Sequence, residues 1–121
     1  MSFALVLGIG VAGGVGALAR FLLDGAVSSG AGRGFPFGTL AVNLSGAFVL
    51  GVFVGAALSS GTYKLLGTGL IGAYTTFSTW TFETQRLAEE GRPAPAWANL
   101  AISLVLGLLA AWLGRKLGAA L

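Results

Sequence analysis

The chain has 121 residues, 55% hydrophobic and only 9% charged, whereas about a quarter of residues in a soluble domain carry charge; this is the composition of an integral membrane protein with almost nothing left over for a soluble domain. Cysteine and histidine are both absent, which removes thiol nucleophiles, disulfides, thiolate metal sites, imidazole bases and the usual zinc ligands, so most enzyme classes lose their parts. The formal charge of +3 is spread over helix ends and short loops, which suits anchoring in a lipid interface and implies no nucleic-acid partner.

A spanning helix takes about 20 apolar residues, and the charged positions leave uncharged stretches at 1–19, 34–63, 65–82 and 93–114. Four helices fit and a fifth does not. The expected architecture is therefore a single all-α membrane domain over 1–121, with spans near 3–23, 38–58, 62–86 and 96–117. The first span has no basic start at Met1-Ser2-Phe3, so it reads as a retained helix and not as a cleaved signal peptide. Gly10 and Gly14 have the small-xxx-small spacing that lets helix backbones approach, and that face is expected to pack on another helix. Arg20 closes the stretch; snorkelling to the interface is the ordinary use of such an arginine, and a place at a pore mouth, where it would attract anions, is the other.

Residues 28–37 are rich in Gly and Ser with Arg33 and Pro36, a loop composition. The second span carries Asn43 and Ser45 in its early turns and a second small-xxx-small pair, Gly51 and Gly55. Asn43 offers two donors and an acceptor at a depth where unpaired polar groups are costly. Taken alone it serves equally as interhelical glue or as a ligand.

The third span holds the most informative stretch. Gly72-Ala73-Tyr74-Thr75-Thr76-Phe77-Ser78-Thr79-Trp80-Thr81-Phe82 places five Thr or Ser hydroxyls and four aromatic rings in a membrane segment. Hydrocarbon tolerates such a cluster only where it is packed in protein or lines a hydrated path. A break is expected at 72–75, where freed carbonyls of Gly72 and Thr75 suit a hard monovalent cation such as sodium; a glycine used for close packing is the alternative. Phe77 and Trp80, three residues apart, project from similar faces. Their ring edges carry partial positive charge, which solvates a small anion weakly without trapping it; rings that simply fill space between helices are the commoner case. Gly91-Arg92-Pro93 with Pro95 ends the segment. The fourth span carries Asn99 and Ser103 on one face. Ser45, Ser103 and the threonines ordinarily bond a backbone carbonyl one turn back.

The orientation signal nearly cancels. Lys64, Arg115 and Lys116 gather on one face and Arg20, Arg33, Arg86 and Arg92 on the other, so the chain is expected to insert both ways and to assemble as an antiparallel dimer in lipid.

Three motifs, Gly13-Gly14-Val15-Gly16-Ala17-Leu18-Ala19-Arg20, Gly38-Thr39-Leu40-Ala41-Val42-Asn43-Leu44-Ser45-Gly46 and Thr75-Thr76-Phe77-Ser78-Thr79-Trp80, resemble those of the Fluc (CrcB) fluoride channels in order, spacing and chain length. The resemblance implies passive fluoride export across the inner (plasma) membrane, relieving fluoride toxicity. It implies an antiparallel, dual-topology homodimer with two fluoride pores and a structural sodium ion at its centre. By position, Asn43 is similar to the pore asparagine, Phe77 to a pore phenylalanine, Ser103 to a fourth-helix pore serine, and the carbonyls of Gly72 and Thr75 to the sodium ligands; Thr39, Ser78 and Thr79 resemble a hydroxyl track beside the pore. Trp80 departs from the family's usual second phenylalanine, and Asn99 stands where some members have a tyrosine.

Two other readings compete. A small proton-coupled multidrug transporter has this size but needs a membrane-embedded carboxylate, and none lies inside the four uncharged stretches. A non-conducting assembly subunit leaves the hydroxyl and aromatic cluster without a use.

Overall fold

The computed structural model describes residues 1–32 and 34–121; Arg33, counted above with the charges of one face, lies outside the described residues. Helix α1, Phe3–Ala31, begins at Ser2, whose hydroxyl accepts the Leu5 N–H at 3.1 Å. It continues past the expected end near Leu23. There the Ser28 hydroxyl donates to Asp24 at 3.0 Å, holding the polar turns helical until Gly32, at φ +79, closes the end with its N–H on the Ser28 carbonyl, a conformation glycine adopts without penalty. Helix α2, Phe37–Gly55, starts directly after Pro36 and stops short of 58 because Ala57 turns to φ +52.

The third apolar stretch folds as consecutive pieces: α3 (Ser60–Tyr63), a π-helical run Lys64–Ile71, and α4 (Gly72–Tyr74). Gly67 and Gly69 let neighbours close on this run: a Cβ on Gly67 would lie 3.2 Å from the Tyr63 ring and one on Gly69 3.0 Å from the Ile9 carbonyl oxygen. The expected interruption at 72–75 is displaced: Gly72–Tyr74 is helical, Thr75 is extended at φ −81 and ψ 160, and α5 begins at Ser78 and ends at Glu89. Helix α6, Pro93–Ala120, starts three residues earlier than the expected 96, because proline is at home in a first helical turn, where its missing N–H would be unpaired anyway. All described elements are helical; α1, α2 and α6 are long and apolar enough to cross a membrane.

Helices α2 and α6 meet backbone to backbone. A Cβ on Gly51 would sit 2.3 Å from the Ala111 carbonyl oxygen, one on Gly55 2.1 Å from that of Arg115, one on Gly114 2.0 Å from that of Phe48 and one on Gly118 2.1 Å from that of Val52. The expected Gly51/Gly55 pair thus has a matching pair on the partner helix. Within this chain the Gly10 and Gly14 face is not used: among the described residues nothing outside α1 lies within 4 Å of a Cβ placed on either, and α1 instead approaches the π-helical run through Gly16, where a Cβ would fall 2.1 Å from the Leu70 carbonyl oxygen. Which face of a glycine-rich helix is used depends on the partner's shape, and the bulged π winding brings its own backbone to Gly16. Gly114→Val is expected to cost more than the ~1–3 kcal/mol of ordinary overpacking, since the obstacle is backbone, and to abolish the monodisperse peak of detergent-purified protein on gel filtration.

Very little is buried. Among the described residues Val42, Ile71, Leu87 and Ala96 are the buried hydrophobic ones, while Phe3, Val11 and Phe21 of α1 remain largely exposed. Such a surface suits lipid or a second protein surface.

Candidate functional site

The site forms where α2 faces the Thr75–Phe77 connection. Asn43 holds the Thr76 peptide from both sides: its Nδ2 donates to the Thr76 carbonyl and its Oδ1 accepts the Thr76 N–H, each at 2.8 Å. Gly46, one turn on, is what lets the connection come so close, because a Cβ there would lie 2.3 Å from Thr75 Cγ2 and 3.2 Å from the Tyr74 ring. The Tyr74 hydroxyl and Ser45 share a bond of 2.8 Å, and Ser45 also donates to the Val42 carbonyl.

These contacts explain the helix interruption. In a continuous α-helix the Thr76 N–H closes onto the Gly72 carbonyl and the Thr79 N–H onto that of Thr75. Here the first goes to Asn43 and the second to the Thr76 hydroxyl, at 3.1 Å. Among the described residues neither carbonyl has another hydrogen-bond donor. Two oxygens of the kind a hard cation prefers are therefore freed by identifiable side chains.

Beside the connection lies an open cavity of about 340 Å³, whose lining among the described residues includes Asn43, Thr75, Thr76, Phe77, Trp80 and Ser103 and no charged side chain. An amide nitrogen carries two hydrogens, so Asn43 keeps one N–H beyond the one given to Thr76. Phe77, 73% exposed, meets Trp80 edge to face with ring centroids 5.5 Å apart and planes at 68°. Trp80 is tied to α6: its indole N–H donates to the Asn99 carbonyl at 3.1 Å. Asn99 is 1% exposed; its Nδ2 donates to the Thr84 hydroxyl at 2.8 Å and its Oδ1 accepts from Ser103 at 3.5 Å. The two positions at which the sequence departs from the resembled pattern are each other's partners.

Of the residues singled out from sequence, the cavity gathers Asn43, Thr75, Phe77, Trp80 and Ser103. Thr39, Ser78, Thr79, Gly72 and Arg20 lie outside its lining. Thr39 is buried one turn before Asn43 and donates to the Glu83 carboxylate. Ser78 is exposed and Thr79 half-buried on α5. Arg20 is half-buried on α1, and its Nε is enclosed with no partner among the described residues. Sequence reasoning missed Glu83 and Thr84. Glu83 stands just outside an uncharged stretch, and its contact with Thr39 spans 44 positions, so no local spacing signals it; Thr84 lies one turn from Trp80 and bonds that residue's carbonyl at 2.8 Å, which disguises its second contact.

Comparison with known proteins agrees with the motif reading. The family described as "CrcB-like protein, Camphor Resistance (CrcB)" matches residues 7–115. "Fluoride-specific ion channel FluC 2" of Mycolicibacterium paratuberculosis is 54% identical over 114 residues, covering 94% of this chain and 93% of that protein. "Fluoride-specific ion channel FluC 1" of Symbiobacterium thermophilum is 47% identical over 117 residues, with 91% and 94% covered. "Fluoride-specific ion channel FluC" of Geobacter sulfurreducens is 46% identical over 114 residues, with 90% and 92% covered. The chain belongs to the CrcB-like family.

Proposed function

We propose that this member of the CrcB-like family is a fluoride-selective channel that lets fluoride leave the cell passively across the inner membrane. The observation that carries the reading is the cavity beside the Thr75–Phe77 connection, where an amide N–H, hydroxyls and two aromatic rings converge with no charged side chain among the described lining residues. Fluoride holds its water tightly, so entry requires close replacement donors; Asn43 supplies the amide hydrogen not given to Thr76, and the Ser103 hydroxyl supplies a second by turning from its long 3.5 Å bond to Asn99. Exit requires that no fixed cation or metal trap the ion, and the ring edges of Phe77 and Trp80 meet that demand. Chloride, being larger, cannot approach the same donors as closely.

The cavity lies open on one side and Phe77 stands exposed beside it, so the proposed pore takes its second wall from another copy of the chain. The balanced charges at the two faces support an inverted copy, giving an antiparallel homodimer. The freed carbonyls of Gly72 and Thr75 are proposed to hold a structural sodium ion between the two copies, four oxygens in all. Sodium there would supply positive charge at the point where helix C-terminal ends converge. A proton-coupled exporter would place its carboxylate on the transport cavity, and Glu83 does not line it.

Liposomes loaded with fluoride and holding only this protein are expected to release it on collapse of the membrane potential, whereas chloride-loaded vesicles retain their anion. Comparable efflux of the two ions, or efflux that requires a proton gradient, would sink the reading.

A further inference from the structure

We propose that Asn99 is a positioning residue that keeps the Trp80 indole N–H away from the permeating ion. The proposal rests on the fluoride-channel reading and concerns the same cavity. Three hydrogen bonds make a closed circuit between α5 and α6. The Trp80 N–H donates to the Asn99 carbonyl, the Asn99 amide donates to the Thr84 hydroxyl, and that hydroxyl donates to the Trp80 carbonyl. The circuit fixes both ends of Trp80: its main chain through Thr84 and its ring through Asn99. The Asn99 side chain cannot supply the carbonyl that receives the indole, but it ties α5 to α6 at the height that brings the indole nitrogen within 3.1 Å of it.

The consequence is chemical. Trp80 lines the cavity while its strongest donor is already spent on Asn99, so an ion meets only the carbon part of the ring. An indole N–H left free in the cavity would form a charge-assisted bond to fluoride, about twice as strong as a neutral one. Such a donor would hold the ion where transport needs it released. Asn99 thereby lets a tryptophan act as a purely carbon ring in the wall. Buried glue alone would give Asn99 a role in stability without any dependence on what stands at position 80.

The test is a double-mutant cycle on full-length protein in liposomes, read by a fluoride electrode. Asn99→Leu is expected to slow fluoride efflux about tenfold, the factor that one net hydrogen bond of about 1.4 kcal/mol represents. Thr84→Val, which leaves Asn99 in place but removes its partner on α5, should act in the same direction. In a Trp80→Phe background Asn99→Leu should change efflux by less than about twofold, because no indole remains to release. A second readout is independent of transport. With Trp97→Phe and Trp112→Phe, both sites outside the cavity, Trp80 is the sole tryptophan and can be excited selectively over Tyr63 and Tyr74, and Asn99→Leu should red-shift its emission as the N–H passes from a protein carbonyl to a hydrated space. An equal loss of efflux from Asn99→Leu with Trp80 present and in the Trp80→Phe background, or an unchanged Trp80 emission, would overturn the proposal. Absence of fluoride efflux from the unmodified protein would refute the channel reading instead, and the emission shift would still decide whether Asn99 holds the indole.

Discussion

Replacing Asn43 with alanine is expected to cut fluoride efflux about a hundredfold, the scale on which removal of one preorganised donor slows an anion-stabilising site, while the assembled protein remains intact on gel filtration. Two losses combine. The N–H not used by Thr76 disappears from the cavity, and the Thr76 N–H and carbonyl, each bonded at 2.8 Å, lose their partners. Orphaned backbone groups cost ~1–3 kcal/mol each when buried; here they border an open cavity in which water can replace the amide, so loss of conduction should exceed loss of stability. Asn43→Asp separates the terms. One carboxylate oxygen can still accept the Thr76 N–H, but the other faces the Thr76 carbonyl and adds negative charge on the path. Efflux should fall at least as far as with alanine. Full efflux from either variant, or loss of efflux that tracks loss of assembly, would make Asn43 glue alone.

Composition and charge placement were enough to read an all-helical, multi-pass membrane protein, because hydrocarbon admits few alternatives to apolar helices; three of the four expected spans are long apolar helices, and the third is divided into shorter pieces. The three motifs were enough to identify the family. What the sequence hid depends on contacts between distant positions. The polar run from Thr75 to Thr81 announces a site, yet the extended residue is Thr75 and the new helix starts at Ser78 because Asn43, 33 positions earlier, takes the Thr76 N–H and because Gly46 clears room for Thr75. A main-chain partner leaves no mark in a side-chain pattern. Glycine spacing was similarly one-sided: Gly51/Gly55 was legible as a packing pair, but Gly10/Gly14 follows the same rule and meets nothing in this chain. Asn99 and Trp80 looked like unrelated departures, and only their proximity shows that a tryptophan at this wall comes with an acceptor for its N–H.

Sodium removal is expected to weaken the assembled dimer about a hundredfold in dissociation constant, and Gly72→Leu to do the same with sodium present. An ion held at a hundred times its Kd stabilises the state that binds it by about 2.7 kcal/mol, which is a hundredfold in affinity. The local structure makes Gly72 a sharp probe. A Cβ at this position meets nothing nearer than the Gly67 carbonyl oxygen, at 3.7 Å, an ordinary contact, and the residue is exposed, so within one chain a side chain has room. Any collapse on Gly72→Leu must then arise outside the chain, where a second copy would bring its own carbonyls to the ion. Thr75 is the control. Its hydroxyl donates to the Ile71 carbonyl at 3.2 Å, whereas the proposed ligand is its carbonyl, so Thr75→Val should leave dimer and efflux nearly unchanged. The measurement is dimer stability and fluoride efflux with sodium exchanged for N-methyl-glucamine. A dimer indifferent to that exchange, together with full efflux from Gly72→Leu, would rule the sodium site out while leaving the anion cavity as it stands.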